Sequence, residues 1–369
     1  MVSNPRFIMI GGFLGAGKTT TIARLARLYQ SQGKRVGIVT NDQATDLVDT
    51  NLLRSQGFDV GEVAGSCFCC NFNELTRTVE RLGQNQLPDI VIAEPVGSCT
   101  DLVATVIRPL QSIYVQPFDI APYGVILKPS HGLKILKRSS KGGFSPQAEY
   151  IFRKQIEEAD FIIINRIDEL PEETINELVS LIELNFPGLP CLRISATTGV
   201  GFDAFHEYLD LKGEFGKRAM DVDYDIYAEG EADLGWLNAQ ATLKSTNPFQ
   251  LDNLIIALLD RINLSLNNHS AEVAHLKAIG MADGKYAVGN LVSSASAPTL
   301  SIASGSATTN ASLVINARVA IDPDSLTKTI EETLHAVCGE FGVDESMNTL
   351  QSFRPGRPVP THRLAGTRI

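Results

Sequence analysis

The stretch RFIMIGGFLGAGKTTTIARLARLYQ, residues 6–30, decides the fold. Its first residues form a short, continuous apolar run that predicts a buried strand, and its last residues show the apolar spacing of a helix. Between them lies the pattern Gly-x-x-x-x-Gly-Lys-Thr, which runs from Gly12 to Thr19. In this strand–loop–helix context, the pattern predicts a loop that binds the phosphates of a nucleotide.

The residue types in this loop suit phosphate chemistry. Glycines let backbone N–H groups turn inward around phosphate oxygens, and the N-terminus of the following helix adds a favourable partial charge. We expect the Lys18 ammonium to reach the β- and γ-phosphates and the Thr19 hydroxyl to bind Mg²⁺. A chance glycine turn is the alternative, and the context argues against it. The predicted contact residues are Gly12, Gly15, Ala16, Gly17, Lys18, Thr19 and Thr20.

Short apolar runs alternate with helical patterns through the first part of the chain. The runs that predict strands are RFIMIGG, RVGIVT, DIVIAEP, YGVILKP, DFIIINR and CLRISA. They are rich in Ile and Val and do not alternate apolar with polar residues, which is typical of strands buried on both faces. This pattern predicts an α/β fold with a mostly parallel, doubly wound sheet of the P-loop NTPase type.

Residues at the ends of two later predicted strands indicate which nucleotide base is bound. Asn165-Arg166-Ile167-Asp168 is close to the Asn-Lys-x-Asp motif of many GTPases, and the Asp168 carboxylate can accept hydrogen bonds from guanine N1–H and its exocyclic amine. Arg166 replaces the usual lysine, and its planar head could still cover the base. Ser195-Ala196 follows the next strand and predicts a loop that supports the guanine carbonyl. We therefore expect GTP rather than ATP.

Acidic residues near the phosphate loop are candidates for magnesium binding and hydrolysis. Glu94 ends a predicted strand, and Gly97 follows it where a backbone N–H can sense the γ-phosphate. Asp42, Asp46 and Asp49 lie in a stretch that occupies the place of a switch loop, and an ordinary acidic loop is the alternative there. The predicted catalytic residues are Lys18, Thr19, Asp42, Glu94 and Gly97, and the predicted magnesium ligands are Thr19, Asp49 and Glu94.

Three cysteines stand close together in the segment GEVAGSCFCCNFNEL, residues 61–75. Thiolates are soft ligands for Zn²⁺, Co²⁺ or Cu⁺, so Cys67, Cys69 and Cys70 predict a transition-metal site. Three ligands leave a coordination position open, which suits delivery better than permanent structure. Burial as small hydrophobic side chains and a redox dithiol are the alternatives.

Other features of this region are predicted to be structural. Asn71-x-x-Glu74 predicts a capping box at the start of the next helix. The remaining cysteines, Cys99, Cys191 and Cys338, are isolated in the sequence, so we expect them to have packing roles. The histidines show no metal-ligand spacing, although His206 or His275 could complete a site in space.

The composition limits the range of functions. The chain has 369 residues, of which 44% are apolar and 20% charged, and its formal net charge of −10 does not favour a nucleic-acid partner. Six cysteines with uneven spacing suit a reducing compartment rather than a disulfide framework. No apolar run is long enough to predict a membrane span. We expect a cytoplasmic protein with neither a nucleic-acid nor a membrane partner.

Changes in composition along the chain predict two domains, a linker between them and a tail. A nucleotide-binding GTPase domain is expected over residues 1–215, followed by an acidic linker over residues 216–234. The order of strand and helix patterns then predicts a small α+β domain of ferredoxin-like type over residues 235–350. A tail rich in Pro and Arg occupies residues 351–369.

Taken in order, the segments GGFLGAGKTT, CFCC, EPVG and NRID resemble the CobW-type metallochaperone GTPases, which are related to HypB and UreG. The resemblance implies that Cys67, Cys69 and Cys70 form the family's metal motif. It also implies the roles given above for Lys18, Thr19, Glu94, Gly97, Asn165 and Asp168. The family's Asn-Glu-x-Gly is replaced here by Asn41-Asp42-Gln43-Ala44, and the resemblance is weaker over the C-terminal domain.

The resemblance further implies a function and its cofactors. The protein would use GTP/GDP and Mg²⁺, bind Zn²⁺, Co²⁺ or Fe²⁺, and deliver the ion to a client metalloprotein or a metal-pathway enzyme, including one of cobalamin type. Homodimerisation is a further expectation. The alternative is a regulatory GTP-binding switch without metal transfer. A P-loop kinase or ligase is a third reading, against which Asn165-Arg166-Ile167-Asp168 argues.

Overall fold

A computed structural model describes residues 4–41, 48–82, 87–114, 118–137 and 145–365, without the side chains of Val48 and Asp49. The chain divides into two compact units. The first comprises Met1–Tyr227 together with Arg357–Ile369, and the second comprises Ala228–Gly356. Within the described residues, no helix has both the length and the apolarity needed to cross a membrane.

The first unit alternates strands with helices. Its strands are β1 Arg6–Gly12, β2 Val36–Asn41, β3 Asp59–Val63, β4 Ile90–Glu94, β5 Asp119–Ile120, β6 Gly124–Leu127, β7 Phe161–Ile164 and β8 Cys191–Arg193. Its helices are α1 Lys18–Ser31, α2 Val48–Ser55, α3 Phe72–Arg81, α4 Arg108–Ser112, α5 Pro129–Leu136, α6 Pro146–Glu158, α7 Glu172–Asn185 and α8 Phe202–Leu209. A π-helical segment, Val103–Ile107, leads into α4, and a further helix, α9 Tyr224–Ala232, crosses the unit boundary.

The strands of the first unit form one parallel sheet in the order β3-β2-β4-β1-β6-β7-β8, with the short β5 paired beside β1. Most of these strands are buried throughout, because helices cover both faces of the sheet. The predicted α/β P-loop architecture is confirmed. β1 lies between β4 and β6, and its carboxyl end opens into the phosphate loop, which is where ligands bind in open sheets of this kind.

The second unit is an antiparallel sheet with two helices. Its elements are β9 Gly235–Gln250, α10 Leu251–Asn268, β10 Val273–Ala282, β11 Lys285–Leu291, β12 Thr299–Ile302, β13 Ala307–Val319, α11 Pro323–Phe341 and β14 Asp344–Phe353. The strand order is β12-β11-β10-β13-β9-β14. Without β11 and β12, the order β10-β13-β9-β14 and the βαββαβ sequence are those of a ferredoxin-like fold. The predicted α+β domain is confirmed, with β11 and β12 inserted at one edge.

The core of the second unit explains its helix positions. Both helices carry apolar side chains at three- and four-residue spacing, and these side chains are fully buried together with residues of the sheet. On α10 they include Leu254, Leu258 and Ile262. On α11 they include Leu326 and Ile330.

The bounds of the linker and of the tail differ from those predicted from composition. The acidic stretch over residues 216–234 is not simply a linker, because its second half forms α9 and the Tyr227 ring is fully buried in the first unit. The Tyr227 hydroxyl accepts a hydrogen bond from the Thr100 N–H at 3.3 Å. The tail expected from residue 351 also divides, since β14 continues to Phe353 and the residues from Arg357 onward belong to the first unit. Tertiary hydrogen bonds, which composition does not show, set these boundaries.

A buried carboxyl group holds the segment after β4 in place. Glu158, at the end of α6, is fully buried and accepts hydrogen bonds from the Val103 N–H at 2.9 Å and the Thr100 hydroxyl at 3.2 Å. Burial away from water raises the pKa of Glu158 to about 8. The carboxyl group is therefore protonated in the folded protein near neutral pH.

This raised pKa predicts a pH dependence of stability. The unfolded carboxyl group loses its proton near its ordinary pKa of 4.5, whereas the folded one keeps it to about pH 8. Stability from this group is thus complete below about pH 4.5 and is lost as the pH rises towards and through 8. We expect Glu158→Gln to flatten this decline, as measured by denaturant unfolding at pH 5, 7 and 9. The exposed neighbour Glu157→Gln is the control, and an unchanged slope in Glu158→Gln would contradict the assignment.

Candidate functional site

The phosphate loop between β1 and α1 has the backbone shape that its glycines allow. Gly12, Gly15 and Gly17 adopt φ angles of 134°, 69° and 95°, which disfavour residues with a Cβ atom. A Cβ atom at Gly12 would lie 2.4 Å from the Ile126 carbonyl oxygen on β6. The loop can therefore bring backbone N–H groups close to an anion.

Lys18 lies folded across this loop. Its ammonium donates hydrogen bonds to the Gly12 carbonyl at 2.9 Å and the Phe13 carbonyl at 3.3 Å, and the side chain is buried. A buried ammonium held over inward-turned backbone N–H groups suits the phosphates of a nucleotide. Thr20, the last predicted contact residue of the loop, is exposed on α1.

Two oxygen groups meet next to the lysine. The Thr19 hydroxyl donates to Glu94 Oε1 at 2.8 Å, and both side chains are buried. Glu94 is the last residue of β4, whose neighbour in the sheet is β1. Hydroxyl and carboxylate oxygens are the ligands that Mg²⁺ prefers, so this pair fits a magnesium ion or its bound water.

Gly97 lies directly against the phosphate loop. A Cβ atom there would be 2.9 Å from Lys18 Nζ and 3.0 Å from the Leu14 backbone nitrogen. The structure thus brings together four of the five predicted catalytic residues, Lys18, Thr19, Glu94 and Gly97. The fifth, Asp42, lies outside the described residues with Asp46, and Asp49 lies in α2 without a described side chain. Their roles stay predictions.

Asn165 joins the phosphate loop to the loops expected to hold the base. Its amide Nδ2 donates to the Ala16 carbonyl at 2.9 Å, and its Oδ1 accepts from the backbone N–H groups of Ala196 at 3.0 Å and Arg166 at 2.8 Å. The side chain is buried, and a Cβ atom at Gly17 would meet Nδ2 at 2.4 Å. Asn165 therefore fixes the geometry of three loops.

The other predicted base-binding residues lie around Asn165. Ser195 is buried, and its hydroxyl accepts from the Thr198 N–H at 3.0 Å, which closes the loop after β8. Asp168 is exposed one turn beyond Asn165. Arg166 adopts a left-handed φ of 64°, and its guanidinium forms an ion pair with Glu169 at 2.8 Å. In this structure the Arg166 guanidinium is therefore held by the Glu169 carboxylate.

The three predicted metal-binding thiols converge in the turn between β3 and α3. The Sγ–Sγ distances are 2.9 Å for Cys67–Cys69, 3.2 Å for Cys67–Cys70 and 3.7 Å for Cys69–Cys70. Hydrogen bonds from the Cys70 and Asn71 N–H groups to the Cys67 carbonyl, at 3.0 and 2.9 Å, form the turn. Cys67 and Cys69 are buried, and all three are free thiols. We call these three residues the thiol cluster.

The prediction of a capping box at the start of α3 is wrong. Asn71 does precede α3, but in the described part of the chain its side chain makes no capping hydrogen bond. Glu74 instead forms an ion pair with Arg81 at 3.0 Å. The turn is held by the backbone and by a residue from another strand.

That residue is Asn41, the last residue of β2. Its Nδ2 donates to the carbonyls of Val63 and Ser66, both at 2.8 Å, and its Oδ1 accepts from the Phe68 N–H at 2.8 Å. Asn41 is buried and immediately precedes the predicted switch loop. The cysteine turn is therefore anchored to the start of that loop. No local pattern marks Asn41, because its partners lie more than twenty residues away.

The three sulfurs of the thiol cluster shift one another's pKa values. Hydrogen bonding with the Cys69 and Cys70 sulfurs holds the pKa of Cys67 well below its ordinary value. The same contact with Cys67 raises the pKa of Cys69 well above its ordinary value and that of Cys70 to about 11. The cluster thus gathers three sulfur atoms at one point, and this sulfur chemistry fits a soft cation.

Cys99 is buried, and the packing role expected for it stays a prediction. Among the described residues, the His, Cys, Asp and Glu side chains form one group of three or more that could bind metal, and it is Cys67, Cys69 and Cys70, without His206 or His275. Cys191 lies half-buried on β8 and Cys338 lies buried in α11 of the second unit, and packing roles for both stay predictions.

The end of the chain crosses the thiol cluster. The Val359 N–H donates to Cys70 Sγ at 3.3 Å, and Thr361 donates from its N–H to the Cys69 carbonyl at 2.8 Å and from its hydroxyl to the Cys70 carbonyl at 2.9 Å. Arg363 Nε donates to the buried carboxylate of Asp101 at 2.7 Å. We call residues 357–365 the C-terminal strap.

The strap predicts a change in thiol reactivity. A hydrogen bond to a charged group contributes about 1.5–3 kcal/mol, and Arg363 is partly exposed, so we expect the lower end of this range. Arg363→Ala should release the strap more often and raise the rate at which a disulfide reagent modifies Cys70 by roughly tenfold. The control is Arg357→Ala, whose ion pair with Asp225 is exposed and contributes little. Equal rates in the two variants would show that Arg363 does not hold the strap down.

Comparison with known proteins shows which family the nucleotide-binding part of the chain resembles. Residues 6–186, from the start of β1 to just past α7, match the model of the CobW/HypB/UreG nucleotide-binding domain. The chain is 36% identical over 100 residues to the zinc chaperone CobW of Sinorhizobium sp, covering 24% of this chain and 27% of that protein. It is 27% identical over 172 residues to the zinc chaperone YeiR of Escherichia coli, covering 45% of this chain and 48% of that protein.

The first unit also aligns with solved structures at low sequence identity. HypB from Helicobacter pylori in complex with nickel aligns with 56% of this chain and 86% of its own, at 19% identity and a TM-score of 0.41. The matched segments span about a quarter and about half of the lengths of the two zinc chaperones. The family match rests on the nucleotide-binding domain, which contains the phosphate loop, the thiol cluster, Glu94 and Asn165. Residues 6–186 therefore form a nucleotide-binding domain of the CobW/HypB/UreG kind.

Proposed function

We propose that this protein is a GTP-hydrolysing metallochaperone. It binds a transition-metal ion at Cys67, Cys69 and Cys70. It delivers the ion to a client metalloprotein or to an enzyme of a metal-dependent pathway, such as a pathway of the cobalamin type. The observation that carries the proposal is the convergence of three thiols, all within 4.8 Å, in the unit that holds the phosphate loop. Two relatives named as zinc chaperones favour Zn²⁺, and the thiolate donors also suit Co²⁺ or Fe²⁺.

The nucleotide-binding roles follow from the positions of the side chains. Lys18 binds the β- and γ-phosphates, and Thr19 and Glu94 hold Mg²⁺, with Asp49 as the candidate third ligand. When bound, Mg²⁺ neutralises the charge that develops on the phosphate oxygens. Gly97 presents its N–H to the γ-phosphate, because its backbone already lies against Lys18.

The remaining roles concern hydrolysis and the base. Asp42 orients the attacking water from the predicted switch loop. Asp168 accepts hydrogen bonds from the guanine edge, and Ser195-Ala196 supports the guanine carbonyl. Asn165 positions these loops through its bonds to Ala16 and Ala196 rather than contacting the reacting atoms.

The two sites are coupled through Asn41. GTP and Mg²⁺ order the switch loop that begins at Asp42, and Asn41 transmits this order to the cysteine turn through its bonds to Ser66 and Phe68. Hydrolysis releases the loop, weakens metal binding and frees the ion for transfer. The physical basis is the ordering of a segment by the γ-phosphate and Mg²⁺.

This coupling predicts a nucleotide-dependent metal affinity. Coupling free energies of about 1–3 kcal/mol correspond to affinity ratios of roughly 5- to 150-fold. We expect Zn²⁺ to bind within this range more tightly with a non-hydrolysable GTP analogue and Mg²⁺ than with GDP, as measured by chelator competition under reducing conditions. Asn41→Ala should reduce the ratio while leaving nucleotide binding intact. The same zinc affinity in both nucleotide states would contradict the proposal.

The base contact predicts a change of specificity. An asparagine at position 168 would offer an amide donor where the carboxylate accepts from the guanine amine, and this donor suits the carbonyl of xanthine. Asp168→Asn should weaken GTP binding by about 10- to 100-fold, the usual discrimination of a two-bond base contact, and improve binding of xanthosine triphosphate. Fluorescent-nucleotide displacement measures both affinities. Glu169→Gln, at the exposed neighbour, is the control and should keep its preference for GTP.

A regulatory GTP-binding switch without metal transfer is the second candidate function. The ferredoxin-like unit is a compact domain that could recruit a partner, including a second copy of the chain. Replacing Cys67, Cys69 and Cys70 by serine separates the two functions, because a pure switch would keep its effect on the client. A metallochaperone would lose that effect although GTP hydrolysis continues.

A further inference from the structure

Arg24 ties the helix that follows the phosphate loop to the loop that follows β8. It lies on α1, six residues beyond Lys18, and its side chain is half-buried. Its guanidinium donates from Nε to the Ala196 carbonyl at 2.8 Å and from Nη2 to the Thr197 carbonyl at 2.6 Å. These partners are 172 and 173 residues away in the chain, so no local pattern in the sequence marks Arg24.

The loop after β8 is shaped to receive this guanidinium. Gly199 adopts a left-handed φ of 90°, and a Cβ atom there would lie 2.6 Å from Arg24 Nη1. The buried Phe202 ring, at the start of α8, has its centroid 5.5 Å from Arg24 Cζ. A planar guanidinium can contact an aromatic ring and still donate hydrogen bonds from its edge. Arg24 is therefore held in one position by the loop that it contacts.

Ala196 is fixed by hydrogen bonds at both of its backbone groups. Its N–H donates to Asn165 Oδ1 at 3.0 Å, while its carbonyl accepts from Arg24. A trans peptide group is planar, so a carbonyl held in one direction points the N–H of the following residue in the opposite direction. A charged donor makes this hold stronger than a neutral one would. Arg24 therefore sets the direction of the N–H groups that follow Ala196 and Thr197.

We infer that Arg24 is a positioning residue for recognition of the guanine 6-carbonyl. It acts through the loop of residues 195–198, whose backbone N–H groups it holds in the direction that the carbonyl oxygen needs. The inference rests on the GTP-binding function proposed above and deepens it by dividing base recognition between two edges. Asp168 accepts from the N1–H and the 2-amino group of the base, whereas Arg24 maintains the donors for the 6-carbonyl.

Two other roles for Arg24 give different results in a test. As a packing residue between α1 and α8, Arg24 would change the affinity for every nucleotide by the same factor, because no part of the base would be singled out. As a direct ligand of the phosphates, it would also change the affinity for tripolyphosphate, which has no base. The test therefore compares nucleotides that differ only in the base.

The experiment measures nucleotide affinities of the full chain with Mg²⁺, by competition with a fluorescent nucleotide whose own affinity is determined for each variant. GTP and inosine triphosphate carry the 6-carbonyl, whereas 2-aminopurine riboside triphosphate keeps the 2-amino group and lacks that carbonyl. Arg24→Ala should weaken binding of the first two by roughly tenfold, the value of one well-placed hydrogen bond, and change the third by less than about twofold. Arg24→Lys keeps the charge but not the two-pronged donor, so it should recover part of the loss.

Arg27→Ala is the matched control. Arg27 lies three residues further along α1, and its guanidinium contacts the Phe58 ring at 5.7 Å and donates to Gln56 at 2.7 Å on the surface. It shares the residue type, the helix and an aromatic contact with Arg24 but makes no printed-loop contact with Ala196. Its replacement should leave the affinities for the three nucleotides as they are in the unmodified protein.

The outcomes separate the inference from the function on which it rests. A loss confined to the nucleotides with a 6-carbonyl supports the inference. Equal losses for all three nucleotides, or no loss, overturn it, and the GTP-binding function survives as long as the unmodified protein prefers GTP to ATP. If the unmodified protein binds ATP as tightly as GTP, guanine recognition fails and the inference fails with it. A thermal melt shows whether Arg24→Ala is folded, and if it is not, Arg24→Lys decides by the same comparison.

Discussion

The whole arrangement depends on the parallel register of four neighbouring strands. β1 and β4 pair so that Met9 lies opposite Ala93, β2 and β4 pair Thr40 with Glu94, and β2 and β3 pair Asn41 with Val63. Carboxyl ends of parallel strands meet at one edge, so this register places the phosphate loop, the acid after β4, the asparagine after β2 and the cysteine turn after β3 side by side. A slip of one residue in any pair would turn the side chains to the other face.

This edge of the sheet holds two kinds of ligand chemistry. Thr19 and Glu94 offer hard oxygen atoms that suit Mg²⁺ and phosphate, whereas Cys67, Cys69 and Cys70 offer soft sulfur atoms that suit a transition metal. The two sets are separate but lie at the ends of neighbouring strands, since β4 ends at Glu94 and β2 ends at Asn41. The C-terminal strap adds cover for the sulfur side, with the Val359 N–H on Cys70.

The sequence predicted the parts of this site whose signal is local. The glycine pattern of the phosphate loop, the buried apolar strands and the spacing of the thiols each lie within a few residues. The fold class of the second unit could be inferred in the same way, from the order of its local strand and helix patterns. Asn41 and the strap could not, because their partners are 22 to 291 residues away and each looks ordinary in its own surroundings. The unit boundaries failed for the same reason: Tyr227 and Arg357 join the first unit through contacts that composition does not record.

We propose that metal binding and nucleotide binding are coupled, so that each ligand raises the affinity of the protein for the other. Because this coupling is reciprocal, it can be measured through the nucleotide affinity. The most direct measurement is the affinity of a non-hydrolysable GTP analogue, with Mg²⁺ present, for metal-free and for zinc-loaded protein, each compared with GDP. We expect zinc to raise the affinity for the analogue over GDP by the same factor by which the analogue raises the affinity for zinc. An affinity for the analogue that zinc leaves unchanged would contradict it.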